Sequence, residues 1–359
     1  MNTGPVLIMA GGTGGHIFPG IAVAQELQSR NIPVLWLGSA GGLETRLVPN
    51  AGLTIETLNI GGIRGKGVRT LLSAPLRIMR AVASAWKILR RTKPRSALSL
   101  GGYASGPGGI ASWLSGVRLV VHEQNSVPGV TNRTLSHFAK KVLCGFDGAL
   151  AHGEWVGNPV RREISAVPNP AQRFADRGGA IRLLVLGGSQ GASGINATLP
   201  QVVREISSGL EIRHQAGPRH LDKTKESYAD VGVEARVDAF IDDMAAAYAW
   251  ADVVVCRAGA LTLAELCAVG LGAILVPFPA AVDDHQTHNA RALVTCGAAR
   301  LVAEGDGFAN RLSAALNEIL AGSEGEQRAR LLTMANSARA LAKPDAAARI
   351  ADACLEVAA

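Results

Sequence analysis

Glycine-rich turns beside polar side chains are the parts of this chain best suited to chemistry. The turn at residues 10–16 ends in His16, and a similar turn at residues 186–192 contains Ser189, Gln190 and Gly191. Each follows a short apolar run and precedes a helical pattern, which is the layout of an anion site at a helix N-terminus. Glycines let the backbone approach a phosphate, and the first helical amides carry about half a positive charge. The pattern predicts two nucleotide-type halves that face one cleft.

A third glycine-rich turn, at residues 100–109, leads to a strand that ends in His122, Glu123, Gln124 and Asn125. Polar groups at the carboxyl ends of parallel strands are where open α/β sheets bind ligands. The turns lack the clean G-x-G-x-x-G pattern with an acid about 20 residues further on, which argues against a dehydrogenase. The sequence contains no D-x-D triplet, so no metal or other cofactor is expected.

His16 is a candidate general base. It follows Gly15 at a predicted helix start, where the positive dipole end disfavours imidazolium and leaves a ring that can accept a proton. A hydrogen-bond donor to a phosphate or to an acceptor substrate fits the same position equally well. Glu123 is a weaker candidate base, because a glutamate at a strand end also fits an ion pair with arginine.

Length and composition indicate a globular α/β protein of two domains. The chain has 359 residues, of which 48% are hydrophobic and 18% charged, so a disordered chain is excluded. The 42 glycines and few aromatic residues are typical of tight turns between aliphatic strands. Five scattered cysteines indicate reduced thiols in a cytosolic protein. We expect no signal peptide and no membrane-spanning run.

The basic charge is concentrated in one stretch. The net charge is +7, yet residues 57–122 contain eleven basic residues and no acidic one, so the remainder is net negative. A helix is predicted over residues 75–91, with Pro75 in its first turn. One apolar stripe would dock it on a sheet, and it consists of Ile78, Val82, Ala85 and Leu89.

A second stripe on an adjacent face of this helix contains Leu72, Leu76, Met79 and Trp86. It is either additional core or, because cations surround it, a surface that rests on an anionic membrane leaflet. Those cations are Arg69, Arg77, Arg80, Lys87 and Arg90.

Strands alternate with helical patterns along the chain, which predicts a parallel sheet in each half. The first series of strands is expected near residues 5–10, 33–38, 53–59, 96–100, 118–123 and 141–145. The second is expected near 181–186, 210–215, 235–239, 252–256, 273–277 and 299–302. Residues 158–179 lack a sustained apolar period and are predicted to form the interdomain linker. A last helix is expected over residues 345–357.

Five motifs together resemble the MurG family of peripheral membrane glycosyltransferases. They lie at residues 11–19, 122–125, 157–161, 187–192 and 257–262, in the family's order. The resemblance implies a GT-B fold, with two Rossmann-like α/β domains whose parallel sheets face a central cleft. Residues 1–160 would form the acceptor-binding, membrane-facing domain and residues 161–342 the UDP-GlcNAc-binding domain. A C-terminal helix at about 343–359 would pack back on the first domain.

The activity implied by the resemblance is inverting transfer of N-acetylglucosamine (GlcNAc) from UDP-GlcNAc to the C4 hydroxyl of MurNAc in lipid I, which forms lipid II for peptidoglycan. The alternatives are a UDP-GlcNAc epimerase of the same fold and a non-catalytic UDP-sugar-binding protein at the membrane. Implied partners are UDP-GlcNAc, lipid I, anionic inner-leaflet phospholipid, and proteins of cell-wall synthesis and division, but no nucleic acid. The implied location is the cytoplasmic face of the bacterial plasma membrane.

The resemblance also assigns residues to UDP-GlcNAc. Glu265 would bind the ribose hydroxyls, Gln286 the GlcNAc hydroxyls, and the Ile241 backbone the uracil. The pattern at 260–265 predicts a loop running into a helix with Glu265 in its first turn, where it could also be a simple dipole partner. The remaining assigned contacts are Thr13, Gly14, Gly15, Asn125, Arg161, Ser189, Gln190, Gly191, Ala260, Leu261, Thr262, Leu263 and Ala264. The chain departs from the family at Gly272, usually proline, and at residues 144–147, which leaves local loop geometry open.

Overall fold

The chain divides into two compact units in a computed structural model. It describes residues 3–61, 68–188, 191–206, 209–281 and 284–358, without the side chains of 68–73. The first unit comprises Met1–Arg161 together with Lys343–Ala359, and the second comprises Arg162–Ala342. Arg161 therefore groups with the first unit, one residue beyond the predicted boundary.

The first unit is built on a seven-stranded sheet in the order β3-β2-β1-β4-β5-β6-β7, and its strand pairs are parallel. Its elements before residue 162 are β1 (Val6–Ala10), α1 (Gly14–Ser29), β2 (Val34–Ser39), α2 (Glu44–Asn50), β3 (Thr54–Leu58), α3 (Val68–Thr92), β4 (Ser96–Gly101), α4 (Ser105–Leu114), β5 (Leu119–Glu123), α5 (Val130–Leu135), β6 (Lys141–Cys144) and β7 (Glu154–Trp155).

The second unit repeats this design with a six-stranded parallel sheet in the order β10-β9-β8-β11-β12-β13. Its elements are α6 (Arg162–Ser165), α7 (Pro170–Phe174), β8 (Ile181–Leu186), α8 (Ser193–Arg204), β9 (Leu210–Gln215), α9 (Leu221–Asp230), β10 (Arg236–Asp238), α10 (Met244–Trp250), β11 (Val253–Cys256), α11 (Ala260–Val269), β12 (Gly272–Leu275), α12 (His285–Thr295), β13 (Ala299–Leu301), α13 (Phe308–Ile319) and α14 (Glu324–Ala340).

The last helix, α15 (Ala346–Glu356), returns to the first unit. Its apolar face joins the core beside α1, where Ile350 and Cys354 are fully buried. Ion pairs hold its exposed side, because Asp352 pairs with Arg30 and Arg349 lies 2.5 Å from Glu154. The C-terminal helix therefore contributes to the core of the unit in which the chain begins.

Helices cover both faces of the first sheet, which explains the uninterrupted apolar run of β1. Val6 and Ile8 point into the core shared with α1 and α15, whereas Leu7 and Met9 point into the core shared with α3 and α4. Side chains alternate between the two faces of a strand, so a strand covered on both sides must be apolar throughout.

Glycine turns follow the strands at which the strand order of each sheet reverses. In the first unit β1 lies between β2 and β4, and in the second β8 lies between β9 and β11. Successive helices leave in opposite directions at such a point, which opens a crevice at the carboxyl ends of the strands. The predicted strands and this placement of the turns agree with the structure.

Two predictions about individual elements were wrong. Helix α3 begins at Val68 rather than at residue 75, so Pro75 lies inside it and not in its first turn. The long helix tolerates the missing amide because its later turns dock Ala81, Ala85 and Leu89 in the core.

The predicted linker at 158–179 is ordered and mostly part of the second unit. Asn169 caps α7 by accepting a hydrogen bond from the Gln172 amide at 3.0 Å. Phe174 is buried, and the buried Arg173 guanidinium donates to the carbonyl groups of Val269 and Gly270. The Arg173 bonds link residues 96 and 97 positions apart, so they are invisible to local periodicity.

Across the described residues, no helix is both long and apolar enough to cross a membrane.

A buried ion cluster predicts one site of large destabilisation in the second unit. Asp252 is fully buried, accepts from the Arg182 amide at 2.9 Å and pairs with Arg177 and Arg328. We expect Asp252→Ala to lower the free energy of unfolding by about 3 to 5 kcal/mol, because two guanidinium groups lose their buried partner. Urea unfolding would measure this loss, with the exposed Glu234→Ala as control. A loss below about 1 kcal/mol would contradict the assignment.

Candidate active site

His16 lies in the first turn of α1, half-buried, with its imidazole held by the glycine turn. Its Nδ1 atom lies 3.1 Å from the Gly11 carbonyl oxygen. A carbonyl can only accept, so Nδ1 carries the proton and Nε2 is left as the basic nitrogen. The Nε2 atom faces Gly101, where a β-carbon would lie 3.1 Å from it. The structure thus presents an imidazole whose Nε2 points towards the turn after β4.

The first glycine turn differs from a simple phosphate site. Thr13 is the N-cap of α1, and Gly14 and Gly15 are its first residues, whose amides lack helical partners. The Gly12 amide, however, donates to the Glu44 carboxylate at 3.1 Å. A protein carboxylate therefore occupies part of the anion-binding turn that the sequence predicts.

Glu123 lies at the end of β5 and is buried among amide donors, not paired with arginine. Its Oε1 accepts from the Asn125 amide at 3.0 Å. Its Oε2 accepts from the Gly129 amide at 3.2 Å and from Asn132 Nδ2 at 3.0 Å. These bonds close the turn that presents Asn125 and hold the start of α5. The arrangement favours a positioning role for Glu123 over that of a base.

The segment that carries Asn125 is tied to the one that carries Arg161 by buried polar groups. His122 Nε2 donates to the Gly157 carbonyl at 2.9 Å, and Asn158 Nδ2 donates to the Gln124 carbonyl at 2.9 Å. Burial lowers the pKa of His122 to about 4, so the ring is neutral. The Arg161 guanidinium lies 5.4 Å from the centre of the Phe18 ring, close to the start of α1.

The second unit presents its own glycine turn before α8. Gly191 has a left-handed backbone, and a β-carbon there would clash with the Ala216 carbonyl, so this position requires glycine. The Gly187 amide donates to the Gln215 carbonyl at 3.1 Å, which anchors the turn to the neighbouring strand. Ser189 and Gln190 lie outside the described residues.

Gln215 joins two segments that the resemblance assigns to UDP-GlcNAc, and the sequence analysis did not single it out. It lies at the end of β9, where its Nε2 donates to the Gly188 carbonyl and its Oε1 accepts from the Ile241 amide, both at 3.1 Å. One buried amide side chain therefore joins the glycine turn to the segment assigned to uracil. The Ile241 amide is therefore occupied, so the predicted backbone contact to uracil falls to the Ile241 carbonyl. A glutamine at the end of a predicted strand was the only local signal.

Helix α11 begins at Ala260 after Gly259, with Leu261 and Thr262 in its first turn and Leu263, Ala264 and Glu265 following. The predicted position of Glu265 in the first turn was wrong. Gly259 is extended, so the helix starts earlier and Glu265 falls in its second turn. The residue is 6% exposed, and its Oε2 accepts from the Tyr248 hydroxyl at 2.9 Å. A carboxylate held in this way is not a simple partner of the helix dipole.

Two further polar groups lie near the ends of β11 and β12. Arg257 pairs with Glu304 at 2.8 Å and donates to the carbonyl groups of Val276 and Pro277. Gln286, in the first turn of α12, accepts from the Phe278 amide at 2.9 Å. Arg257 begins one of the five motifs, but no role was predicted for it. No local sequence pattern points to Glu304.

The second apolar stripe of α3 is exposed where its side chains are described. Leu76, Met79 and Trp86 are 48%, 60% and 40% exposed, and the Arg90 guanidinium lies 5.0 Å from the Trp86 ring centre. Leu72 and Arg69 have side chains outside the described set. Helix α4 extends this surface through its exposed Trp113 and Leu114. Between the two helices runs an open apolar groove of about 520 Å³ lined by Ile78, Met79, Val82, Ala83, Trp86, Ile110 and Leu114.

Comparison with known proteins gives consistent similarities along nearly the whole chain. Residues 6–144 match the glycosyltransferase family 28 N-terminal domain, and residues 182–350 match the C-terminal domain of that family. A UDP-N-acetylglucosamine–N-acetylmuramyl-(pentapeptide) pyrophosphoryl-undecaprenol N-acetylglucosamine transferase of Xanthomonas campestris is 56% identical over 353 residues, which cover 98% of this chain and 82% of the relative. The enzyme of the same description from Xylella fastidiosa is 53% identical over 355 residues, with 98% and 96% coverage.

A solved structure agrees with these relatives. The crystal structure of Acinetobacter baumannii MurG is 36% identical and superposes with a TM-score of 0.84 over 98% of this chain and 99% of that one.

The two buried histidines predict a loss of stability in mild acid. Burial lowers the pKa of His122 to about 4 and that of His214 to about 3, against an ordinary value of 6.5. As the pH falls below 6.5, the two imidazoles become protonated in the unfolded chain but stay neutral in the native chain. The free energy of unfolding should then fall by up to about 1.4 kcal/mol per pH unit for each histidine, until the pH reaches the native pKa.

Urea unfolding between about pH 7.5 and about pH 5 measures this slope. We expect His214→Gln to flatten it, whereas the exposed His137→Gln should leave it unchanged. An unchanged slope in the His214 variant would show that burial of this ring does not cause the acid sensitivity.

Proposed function

Because the chain belongs to the MurG family of glycosyltransferases, we propose that its two units divide acceptor and donor recognition between them. The enzyme is a UDP-GlcNAc-dependent N-acetylglucosaminyltransferase of GT-B fold that acts on lipid I and forms lipid II. In the proposal the first unit binds lipid I and the second binds UDP-GlcNAc. The epimerase alternative is not favoured, since the relatives at 53–56% identity are transferases.

The observation that carries the proposed mechanism is the His16 tautomer. With the Nδ1–H group donating a hydrogen bond to the Gly11 carbonyl, Nε2 accepts the proton of the MurNAc C4 hydroxyl. The hydroxyl oxygen bonds to the anomeric carbon of GlcNAc while the bond from that carbon to the UDP oxygen breaks. UDP leaves with the electron pair, and the configuration inverts in a single displacement without a covalent enzyme intermediate.

Donor binding is assigned to the second unit. The amides around Gly191 and at the start of α11 face the developing diphosphate charge, and no metal is required for this. Glu265 accepts the ribose hydroxyls, the Ile241 carbonyl binds uracil, and Gln286 binds the sugar. Asn125 and Arg161 of the first unit complete the donor contacts. Support for this assignment is the buried setting of Glu265 and the Gln215 bridge between the glycine turn and Ile241.

The exposed stripe of α3 is assigned to the membrane. Its apolar side chains and those of α4 would enter an anionic leaflet, while Arg77, Arg80 and Lys87 meet the lipid headgroups. Lipid I is held in the bilayer by its undecaprenyl chain, so the acceptor-binding unit must reach that surface. Support comes from the exposure of Leu76, Met79 and Trp86 and from the acid-free sequence around them.

The function is tested by following UDP release with UDP-GlcNAc and a lipid I analogue. We expect release only when both substrates are present. A non-catalytic binding protein would retain UDP-GlcNAc without releasing UDP, and an epimerase would convert the donor without the acceptor.

His16→Ala should lower kcat by about 10²- to 10⁴-fold, because the general base is lost, and it should leave the affinity for UDP unchanged. Steady-state turnover and calorimetry of UDP binding measure the two effects. The exposed His137→Ala serves as control. A loss of kcat below about tenfold would show that His16 is not the base.

Glu265→Ala should weaken UDP binding by about 1.5 to 3 kcal/mol, the range for hydrogen bonds to a charged group. Tyr248→Phe removes only the hydroxyl that donates to this carboxylate and should change the affinity much less. Calorimetric titration with UDP measures both variants, and thermal unfolding checks that they are folded. Equal UDP affinity in the Glu265 variant and the unmodified enzyme would remove Glu265 from the site.

Charge reversal to Glu at Arg77, Arg80 and Lys87 should reduce binding to anionic vesicles. Such binding should also be sensitive to salt, because exposed charges are screened over about 8 Å at physiological ionic strength. Transfer to a short-chain, water-soluble acceptor should stay nearly unchanged. Reversal at the exposed Arg204, Lys223 and Lys225 of the second unit is the matched control. Unaltered vesicle sedimentation in the α3 variant would argue against the membrane assignment.

A further inference from the structure

The Glu44 carboxylate is buried against the first glycine turn. Glu44 begins α2 and is fully buried. Its Oε2 accepts from the Gly12 amide at 3.1 Å, and its Oε1 accepts from the Ser39 amide at 2.8 Å. The carboxylate thus bridges the turn after β1 and the end of the neighbouring strand β2. Charge-assisted bonds of this kind are stronger than those between neutral groups.

Three glycines make room for this carboxylate. A β-carbon at Gly11 or Gly42 would overlap its oxygens, and one at Gly38 would lie 2.6 Å from Glu44 Cγ. Gly11 lies in the turn after β1, Gly38 lies in β2, and Gly42 lies in the loop that follows β2. In the first unit, Gly11 therefore serves the approach of a protein carboxylate rather than that of a phosphate.

The same turn holds His16. The Gly11 carbonyl accepts the hydrogen bond from His16 Nδ1. The amide of the next residue, Gly12, donates a hydrogen bond to the Glu44 carboxylate. On the other side, a β-carbon at Gly102 would lie 2.5 Å from the Gly11 carbonyl oxygen, so the turn after β4 packs directly on this peptide. Gly11 therefore packs against the Glu44 side chain and against the turn after β4, which limits the reorientation of its peptide.

The geometry points to Glu44 as a positioning residue for the transfer reaction. It holds the first glycine turn so that the Gly11 carbonyl keeps His16 in the tautomer whose Nε2 is basic. The inference rests on the proposed role of His16 as the base. It also explains the division of labour between the units, because the first unit fills its anion-binding turn with its own carboxylate. At the corresponding strand end of the second unit stands the neutral side chain of Gln215.

The test is a double-mutant cycle between Glu44 and His16. Glu44→Gln keeps the size of the side chain but replaces one carboxylate oxygen by an NH₂ group. That group is a donor and would face a backbone amide that is also a donor. We expect kcat to fall by about tenfold or more, since small misplacements of a catalytic group cost up to about 100-fold. The KM for UDP-GlcNAc and the affinity for UDP should stay unchanged. In the His16→Ala background the same substitution should change kcat by less than about twofold, because Glu44 acts through His16.

Nitrogen NMR of ¹⁵N-histidine-labelled enzyme gives an independent readout. The His16 signals, assigned by their loss in His16→Ala, should report a protonated Nδ1 in the unmodified enzyme and a tautomer mixture in Glu44→Gln. Glu56→Gln makes the same chemical change on the neighbouring strand β3, where the carboxylate pairs with Arg91, and should alter neither tautomer nor kcat. If Glu44→Gln does not fold, Glu44→Asp withdraws the carboxylate by one methylene and is measured in the same way.

An unchanged tautomer, a multiplicative loss of kcat in the double variant, or weaker UDP binding in Glu44→Gln would each overturn the inference. The kcat of His16→Ala tests the proposed role of His16 as the base separately. If His16→Ala loses less than about tenfold in kcat, the base assignment fails, while the NMR comparison still decides whether Glu44 sets the tautomer.

Discussion

Backbone amides at the carboxyl ends of β1 and β8 have to be satisfied, and much of the structure follows from how this is done. Each turn leaves a sheet at its switch point and enters a helix, so several amides there have no partner within regular structure. In the first unit the Glu44 carboxylate takes the Gly12 amide. In the second unit the Gly187 amide donates to the backbone carbonyl of Gln215, whose side chain also holds the Gly188 carbonyl. A carboxylate at one turn and a neutral amide side chain at the other make the two turns chemically different in sheets of similar design.

Polar networks behind the substrate-binding residues do most of the positioning in both units. The Glu123 oxygens accept hydrogen bonds from amides that shape the Asn125 turn. His122 links that turn to the segment before Arg161. Tyr248 orients Glu265 in the same way. Such groups are buried and paired, so they limit the number of orientations available to the side chains in front of them. A rigid scaffold behind a few exposed groups suits a reaction that depends on alignment.

Most large apolar side chains are buried between the sheets and their helices. Both faces of each sheet are covered, and the C-terminal helix α15 closes the core beside α1. Against this background the exposed side chains of α3 and α4 stand out, since large apolar residues on a globular surface usually mark a contact. They lie on the unit assigned to lipid I, so the proposed function gives that unit both the recognition of a membrane-held acceptor and contact with the membrane.

Local sequence determined the strands, the glycine turns and the spacing of the second apolar stripe of α3, because periodicity and turn chemistry are properties of neighbouring residues. Only the tertiary structure decided that this stripe is exposed and not part of the core. Family resemblance supplied the reaction and the proposed contacts. Tertiary structure alone decided which groups meet across long sequence separations. Glu44 reaches Gly12 from 32 residues away, and Gln215 reaches Ile241 across 26. The same holds for the buried Arg173 in the segment predicted as a linker, and for Glu265, whose helix starts earlier than predicted. Hydrogen-bond partners of this kind are set by how strands and helices pack, and no local pattern encodes that packing.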